Sequence, residues 1–137
     1  MSTAKVNHSV WQPWTGTDGA LDAVGGSAPT LTSEWYDCNG QVDRRVSWEV
    51  DSGGAIDIDI IMHISPQGYY ELNNKTCTTD YYEAVTLVTA HTAAILASVD
   101  SDDIADLGKP VRSVRYVVDN DSAAAVTGFS LWHEGWS

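Results

Sequence analysis

The stretch RVSWEVDSGGAIDIDIIMHI, residues 45–64, decides the fold class of this 137-residue chain. In its first part Val46, Trp48 and Val50 alternate with polar residues, and from Ile56 to Ile64 every even position is apolar. A period of two over this length is typical of β-strands with one buried face. The DSGG between the two parts, residues 51–54, has the composition of a tight turn. The pattern therefore predicts a β-hairpin over about 43–64.

A second alternating region closes the chain. Apolar and polar side chains alternate in VRSVRYVVDN, residues 111–120, and AAAVTGFSLW, residues 123–132, follows a short polar turn, which predicts a second hairpin. About eight short strands without a long amphipathic helix predict an all-β fold, an antiparallel β-sandwich or jelly roll. The other predicted strands lie at 30–36, 68–72, 83–90 and 91–99, and residues 15–29 are predicted to be irregular.

Tryptophan gathers at the two ends of the chain. We predict an extended N-terminal arm with an irregular segment (1–28), a sandwich domain (29–132) and a C-terminal tail (133–137). Chain ends are normally polar and mobile, whereas large aromatic side chains are enriched at interfaces. We therefore interpret Trp11, Trp14 and Trp136 as anchors of a protein interface, with packing over an open end of the sandwich as the alternative.

The charge balance limits the class of partner. The formal net charge is −12, and an acidic surface repels both nucleic-acid phosphates and anionic membranes, so we expect neither as a partner. The first residues lack the apolar segment of a signal peptide, so we expect the chain to be cytoplasmic or to be released by lysis or another signal-free route. Cys38 and Cys77 define one possible disulfide, which the sequence leaves open.

Catalytic motifs are absent from the sequence, and we expect neither an enzyme nor a cofactor. The four histidines are scattered along the chain. His63 shares a predicted strand face with Asp57 and Asp59, where a carboxylate–imidazole ridge and an ordinary solvated face are both open readings.

Carboxylates cluster in DSDDIAD, residues 100–106. Asp100, Asp102, Asp103 and Asp106 are weak calcium candidates, because carboxylate oxygens are the ligands that calcium prefers. The segment lacks the central glycine and the bidentate glutamate of an EF-hand, so a solvated loop is the alternative and no metal is assigned.

Adjacent tyrosines occur on or beside the predicted strands. In Tyr69-Tyr70 and Tyr81-Tyr82, neighbouring side chains point to opposite faces, so that one ring of each pair is left at the surface. Exposed rings on a sandwich stack on sugars in carbohydrate-binding modules, and they also anchor protein interfaces. Tyr69, Tyr70, Tyr81 and Tyr82 are therefore candidates for glycan stacking.

The segment KPVRSVRYVVDNDSAAAVTGFSLW, residues 109–132, resembles the closing hairpin of small β-sandwich accessory proteins in the virions of tailed bacteriophages. In that family a proline-led strand with alternating arginine and valine precedes a polar turn and a strand rich in Ala, Thr and Val. Here Arg112 and Arg115 alternate with valines in that manner. The stretch WEVDSGGAIDIDIIMHISPQGYYEL, residues 48–72, is similar to the paired strands of such domains.

The resemblance implies a capsid decoration, vertex or tail-associated protein that is assembled into the virion in the host cytoplasm. It also implies other virion proteins as partners and a symmetric homo-oligomer, a trimer or higher. The leading hypothesis is thus a virion structural protein that acts through its tryptophan-bearing ends. The alternative is a carbohydrate-binding or adhesion module that uses surface tyrosine or tryptophan.

Overall fold

The computed structural model describes residues 8–38, 41, 43–52, 54–67, 82–91, 97–100 and 111–136. The strands in these ranges are β1 (His8–Trp14), β2 (Thr30–Thr32), β3 (Tyr36–Asp37), β4 (Asp43–Ser52), β5 (Ile58–Ser65), β6 (Glu83–His91), β7 (Ala97–Asp100), β8 (Ser113–Asn120) and β9 (Val126–Trp136). A one-turn 3₁₀ helix, Gly16–Gly19, follows β1. Within the described ranges, no helix has the length and apolar character needed to cross a membrane.

The strands pair as they would in one long hairpin. β1 pairs with β9, β2 and β3 with β8, β4 with β7, and β5 with β6, all antiparallel. Rolling this ribbon up adds the pairs β4–β9 and β5–β8, which gives two sheets, β1-β9-β4-β7 and β2-β8-β5-β6. β2 and β3 follow one another along β8 and count as one interrupted strand. The resulting eight-stranded order is that of a jelly roll, and the predicted fold class is confirmed.

Both predicted hairpins are wrong, although their strands are right. β4 and β5 lie in different sheets, and so do β8 and β9. The connections after Ser52 and Asn120 therefore carry the chain from one sheet to the other. Alternation identifies the buried face of a strand but not its partner, and a strand that crosses to the facing sheet keeps the same pattern as a hairpin strand.

The remaining predicted strands are partly confirmed. The strand at 83–90 is β6, and the end of the 91–99 segment is β7, whereas the predicted strand at 68–72 lies outside the described residues. The predicted strand at 30–36 is interrupted after Thr32. There the amide N–H of Tyr116 donates to the Ser33 hydroxyl at 2.8 Å, and this hydrogen bond replaces one to a backbone carbonyl.

Both ends of the described chain belong to the sandwich. β1 is an edge strand that pairs with β9 from His8 opposite Trp136 to Trp14 opposite Leu131, with a bulge between Trp11 and Trp14. Residues 8–14, which the sequence places in an N-terminal arm, and residues 133–136, which it places in a tail, are thus paired strand residues. Residues 1–7 lie outside the described part of the chain.

The turn after β1 passes directly over β9. Gly16 has a φ of +62°, a left-handed backbone conformation that favours glycine. A Cβ at Gly19 would collide with the backbone carbonyl of Phe129, so only glycine allows this close approach. The two positions explain why the glycine-rich sequence after Trp14 can return the chain across the sheet.

The core fills the space between the two sheets with the inward faces of four long strands. Trp48 on β4 and Ile60 on β5 are 1% and 0% exposed, and Phe129 on β9 is also fully buried. The inward-facing hydrophobic residues of these strands are Val46, Trp48 and Val50; Ile58, Ile60, Met62 and Ile64; Val114, Tyr116 and Val118; and Val126, Phe129 and Leu131. The even positions of 56–64 face the core as their alternation predicts.

We expect Ile60→Ala to lower the free energy of unfolding by about 2–5 kcal/mol, because it removes buried methylene groups and leaves a cavity. The neighbouring Ile61 points to the outer face and is only half-buried, so Ile61→Ala is the matched control and should cost clearly less. Urea denaturation followed by tryptophan fluorescence measures both. Equal losses for the two variants would contradict the assignment of the inner face.

Candidate functional site

The tryptophans at the chain ends divide between the core and the surface. Trp14 is 6% exposed and packs edge-on against Phe129, with ring centroids 5.8 Å apart. The prediction that Trp14 anchors a protein interface is therefore wrong, because a buried ring offers no surface to a partner. Trp11 pairs with the buried His133 and stacks on Tyr36 at 4.6 Å, so its half-buried ring also points inward.

Trp136 lies on the outer face of the same sheet. Its ring stacks on His8 at 4.9 Å, and His8 Nε2 lies 3.2 Å from a carboxylate oxygen of Glu134, within hydrogen-bond distance. Val10, beside them on β1, is 54% exposed. We call the outward-facing side chains at this end of the sheet the β1/β9 patch: His8, Val10, Trp132, Glu134 and Trp136.

The β1/β9 patch has the chemistry of a protein contact. Tryptophan is among the residues that carry most binding energy at interfaces, and a polar rim around an apolar centre is the usual arrangement. Trp132 and Trp136 are half-buried, which leaves part of each ring in contact with solvent. Of the three predicted anchors, Trp136 is therefore the one that the structure places on an outer face.

A polar network lies in the core beneath the β1/β9 patch. His133 on β9 is 0% exposed, and its Nδ1 is hydrogen bonded to the hydroxyl of Tyr116 on β8. Its Nε2 is 2.9 Å from Oε1 of Gln41, and the Gln41 amide donates in turn to the Ser9 hydroxyl at 3.1 Å. We call this chain from Tyr116 through His133 and Gln41 to Ser9 the histidine network; it links β8, β9 and β1.

The hydrogen bonds of the histidine network fit a neutral His133. Oε1 of Gln41 can only accept, so Nε2 carries the proton and Nδ1 accepts from the Tyr116 hydroxyl. Burial, and next the charge of Arg44, lower the pKa of His133 to about 3. Burial likewise raises the pKa of Tyr116, which keeps its hydroxyl protonated and able to donate.

Cys38 lies in the same buried region and is a free thiol. Burial raises its pKa to about 11, against the opposing effect of Arg44. A thiol that stays protonated at neutral pH is a poor nucleophile, so Cys38 is a core residue and not a reactive one. Cys77, the other member of the possible disulfide, lies outside the described residues.

Tyr82 is the one glycan candidate that the described residues include, since Tyr69, Tyr70 and Tyr81 lie outside them. On the outer face of the second sheet, its ring stacks on His63 at 4.2 Å and lies 5.0 Å from the Arg115 guanidinium. The same guanidinium lies 4.8 Å from the ring of Trp35. We call these four side chains, Trp35, His63, Tyr82 and Arg115, the arginine–aromatic cluster.

The arginine–aromatic cluster explains the position of His63. Arg115 Nε donates to His63 Nδ1 at 2.9 Å, so the imidazole is bound by a cation and not by Asp57 or Asp59. Burial and the charge of Arg115 lower the pKa of His63 to about 4. Of the two open readings of this face, the carboxylate–imidazole ridge therefore does not form at His63, because Arg115 of the neighbouring strand β8 is bonded to its Nδ1.

Three carboxylates meet at the opposite end of the same sheet. Oxygens of Asp57, Asp59 and Asp121 lie within 4.8 Å of one another, and these are the described residues that could hold a cation together. A hydrogen bond with Asp59 and the charge of Asp119 raise the pKa of Asp121. Of the four calcium candidates predicted from the sequence, Asp100 ends β7, and Asp102, Asp103 and Asp106 lie outside the described residues.

The sequence carried a signal for His133 that the motif search missed. His133 continues the alternation of Phe129 and Leu131, which places it on the inward face of β9. Its partners Tyr116 and Gln41 come from distant parts of the chain, and Asp121 joins Asp57 and Asp59 only because β8 pairs with β5. Groups brought together by non-local pairing leave no spacing motif.

Comparisons with known proteins give little to place beside this geometry. No protein-family model matches the sequence, and a comparison with curated proteins gives no match either. Among solved structures, one described as “Bacillus endospore appendages form a novel family of disulfide-linked pili” is similar at 14% identity over 100% of this chain and 94% of that chain. The TM-score of 0.37 is too low for the likeness to bear on fold or function.

We expect the protein to lose stability as the pH falls below 6.5, partly through His133. The unfolded histidine takes up a proton near pH 6.5, whereas the folded one resists until about pH 3, so the loss is on the order of 4 kcal/mol across that window. Urea denaturation at several pH values between 7 and 4 gives the slope. His133→Gln should be less stable at pH 7 but should show a shallower decline.

His63→Gln serves as the comparison for this pH dependence. Burial and the charge of Arg115 lower its pKa to about 4, so removing His63 should likewise flatten the decline between pH 6.5 and 4. An unchanged slope in His133→Gln would contradict the assignment of a neutral, buried imidazole.

Proposed function

We propose that this chain is a virion structural protein, a capsid decoration, vertex or tail-associated subunit that acts through contacts with other virion proteins. The observation that carries the proposal is the jelly-roll strand order, which viral capsid domains share with lectin domains. Because one fold serves many functions, the surface chemistry has to support the choice.

The β1/β9 patch supports a protein contact. Trp136 is held in place by stacking on His8, so little side-chain entropy is lost when a partner covers it. Val10 adds exposed apolar area, and the hydrogen-bonded side chains of His8 and Glu134 supply a polar margin. This combination of a fixed aromatic ring, an exposed aliphatic residue and a polar margin fits an interface anchor.

The charge of the chain supports a position on the outside of a shell. A formal net charge of −12 repels a packaged nucleic acid, so contact with the genome is disfavoured. An outer shell protein meets other protein surfaces and solvent, where an acidic surface maintains solubility.

The proposal is tested by co-sedimentation with virus particles. Lysates of cells that produce particles and the tagged protein are banded in a density gradient, and the protein is located by immunoblot and by immunogold electron microscopy. We expect the wild type in the particle band. Trp136→Ala removes the fixed ring of the β1/β9 patch and should move the protein to the soluble fractions.

The matched control is Tyr82→Ala, because Tyr82 is also a half-buried ring that stacks on a histidine, but on the outer face of the other sheet. It should stay in the particle band. A wild-type protein found only in the soluble fractions would overturn the proposed function.

The second candidate function is carbohydrate binding, and Tyr82 is the observation that favours it. Its ring is fixed on His63, lies beside the guanidinium donors of Arg115 and is partly open to solvent. Sugars are bound by stacking on such rings together with hydrogen bonds from charged side chains. Jelly rolls include lectin domains, so the fold is also compatible with carbohydrate binding.

Glycan binding is measured by a glycan array followed by tryptophan-fluorescence titration. Trp35 lies 5.9 Å from Tyr82, so its emission reports on a ligand at the arginine–aromatic cluster. If this function holds, Tyr82→Ala should abolish the response and Trp136→Ala should retain it, the reverse of the co-sedimentation result. No response of the wild type across diverse glycans would reject this candidate.

A further inference from the structure

β1 is an edge strand with one side free. It pairs with β9, and in the described part of the chain no strand pairs with its other side. A free strand edge presents unpaired N–H and C=O groups that can extend a sheet into another chain. The bulge between Trp11 and Trp14, together with Pro13, limits the regular part of this edge to the residues around Val10.

Strand geometry determines which backbone groups face the free edge. Residues whose side chains point to one face of a strand direct their N–H and C=O to the same side. The inward-facing Val126 exchanges both bonds with Leu21, at 2.9 Å each, on the side of β9 where β1 lies. Ser9 and Trp11, opposite inward-facing residues of β9, therefore bond to β9. Val10 directs its N–H and C=O to the free edge.

The edge around Val10 is uncharged in a strongly acidic protein. The sequence of β1, HSVWQPW, contains none of the 19 acidic and 7 basic residues of the chain. Glu134, the neighbour of Val10 on β9, is already paired with His8. Native edge strands are commonly protected against pairing by charged side chains, and β1 lacks this protection.

We propose that β1 of one copy pairs antiparallel with β1 of a second copy, about a two-fold axis at Val10. This contact rests on the proposed function, since it names one of the protein contacts of the subunit. Val10 of one copy then lies opposite Val10 of the other, and two four-stranded sheets become one continuous sheet of eight strands. The two exposed valines cover each other, and both free backbone edges gain hydrogen bonds.

A second copy fits this edge better than a charged partner does. A two-fold contact places the same surface on both sides, so it is favourable only where that surface does not repel itself. Elsewhere a net charge of −12 on each copy opposes close approach, whereas the β1 edge is neutral. The absence of Asp, Glu, Lys and Arg from β1 thus makes this edge a favourable contact for a second copy.

Sedimentation velocity of the purified full-length chain from about 1 to 100 μM tests the proposal, a range in which micromolar dimers are resolved. We expect a concentration-dependent dimer for the wild type. Val10→Pro removes the donor at the free edge and leaves the β1–β9 ladder intact, so it should weaken dimerisation at least about tenfold. Val10→Thr keeps the donor and should still dimerise.

Two further variants keep the test decisive. Val10→Lys introduces a like-charge pair at the two-fold axis and should also give monomers. If circular dichroism shows that Val10→Pro does not fold, Val10→Lys alone provides the test. Val24→Asp changes another exposed valine, which is 56% exposed and lies near Ser122 at the far end of the sheet, and it should remain dimeric.

The outcomes separate this contact from the proposed function. A wild type that is monomeric at every concentration, or a dimer that persists in both Val10→Pro and Val10→Lys, overturns the β1 contact, whatever the particle gradient shows. A Val10-dependent dimer together with a wild type absent from the particle band overturns the virion role and supports the dimer contact.

Discussion

The pairing of the first strand with the last is the interaction on which the rest of the structure depends. β9 lies between β1 and β4 and pairs with both, so it is the strand that joins the two ends of the chain to its middle. Without β9, β1 would lose its partner and the sheet β1-β9-β4-β7 would lose the strand that connects β1 to β4. Because these partners are far apart in sequence, loop closure has to precede the gain from packing, which is typical of slow-folding β-sandwiches.

The histidine network fixes the register of this pairing. A one-residue shift of β9 already turns Phe129 and Leu131 away from the core, and a buried imidazole with two hydrogen bonds adds to that cost. A one-residue slip of β9 would turn His133 to the outer face and leave Tyr116 and Gln41 with unsatisfied polar groups in the core. The network therefore favours one register of β1 on β9, although the buried histidine makes the protein less stable in acid. Any contact that β1 makes with a partner depends on that register.

The sequence predicts the faces of the strands well and their partners poorly. Alternation over 56–64 correctly assigns Ile60 to the core and Ile61 to the outside, because side-chain direction is a local property of an extended chain. The same pattern made β4 and β5 look like a hairpin, since a strand crossing to the facing sheet alternates in the same way. Partner choice is decided by which surfaces cover each other in three dimensions.

The candidate site shows the same division between local and non-local information. Trp14 and Trp136 are both tryptophans near an end of the chain, and the sequence treats them alike. The bulge in β1 turns Trp14 into the core, whereas the alternation of β9 turns Trp136 outward. The histidine network and the carboxylates of Asp57, Asp59 and Asp121 come from strands that only the jelly-roll pairing brings together.

The form of the free edge determines what kind of assembly it can support. An edge that pairs with a different strand, such as β7 at the other side of the same sheet, would leave new free edges and could add copies without limit. A two-fold contact of β1 with itself pairs the free β1 edges of both copies, so no further copy can join through this strand. Pro13 and the bulge shorten the regular edge further, so only a short ladder centred on Val10 fits. A short, neutral and self-complementary edge therefore favours a discrete assembly over a growing fibre, which is compatible with the proposed role of a subunit at defined positions on a shell.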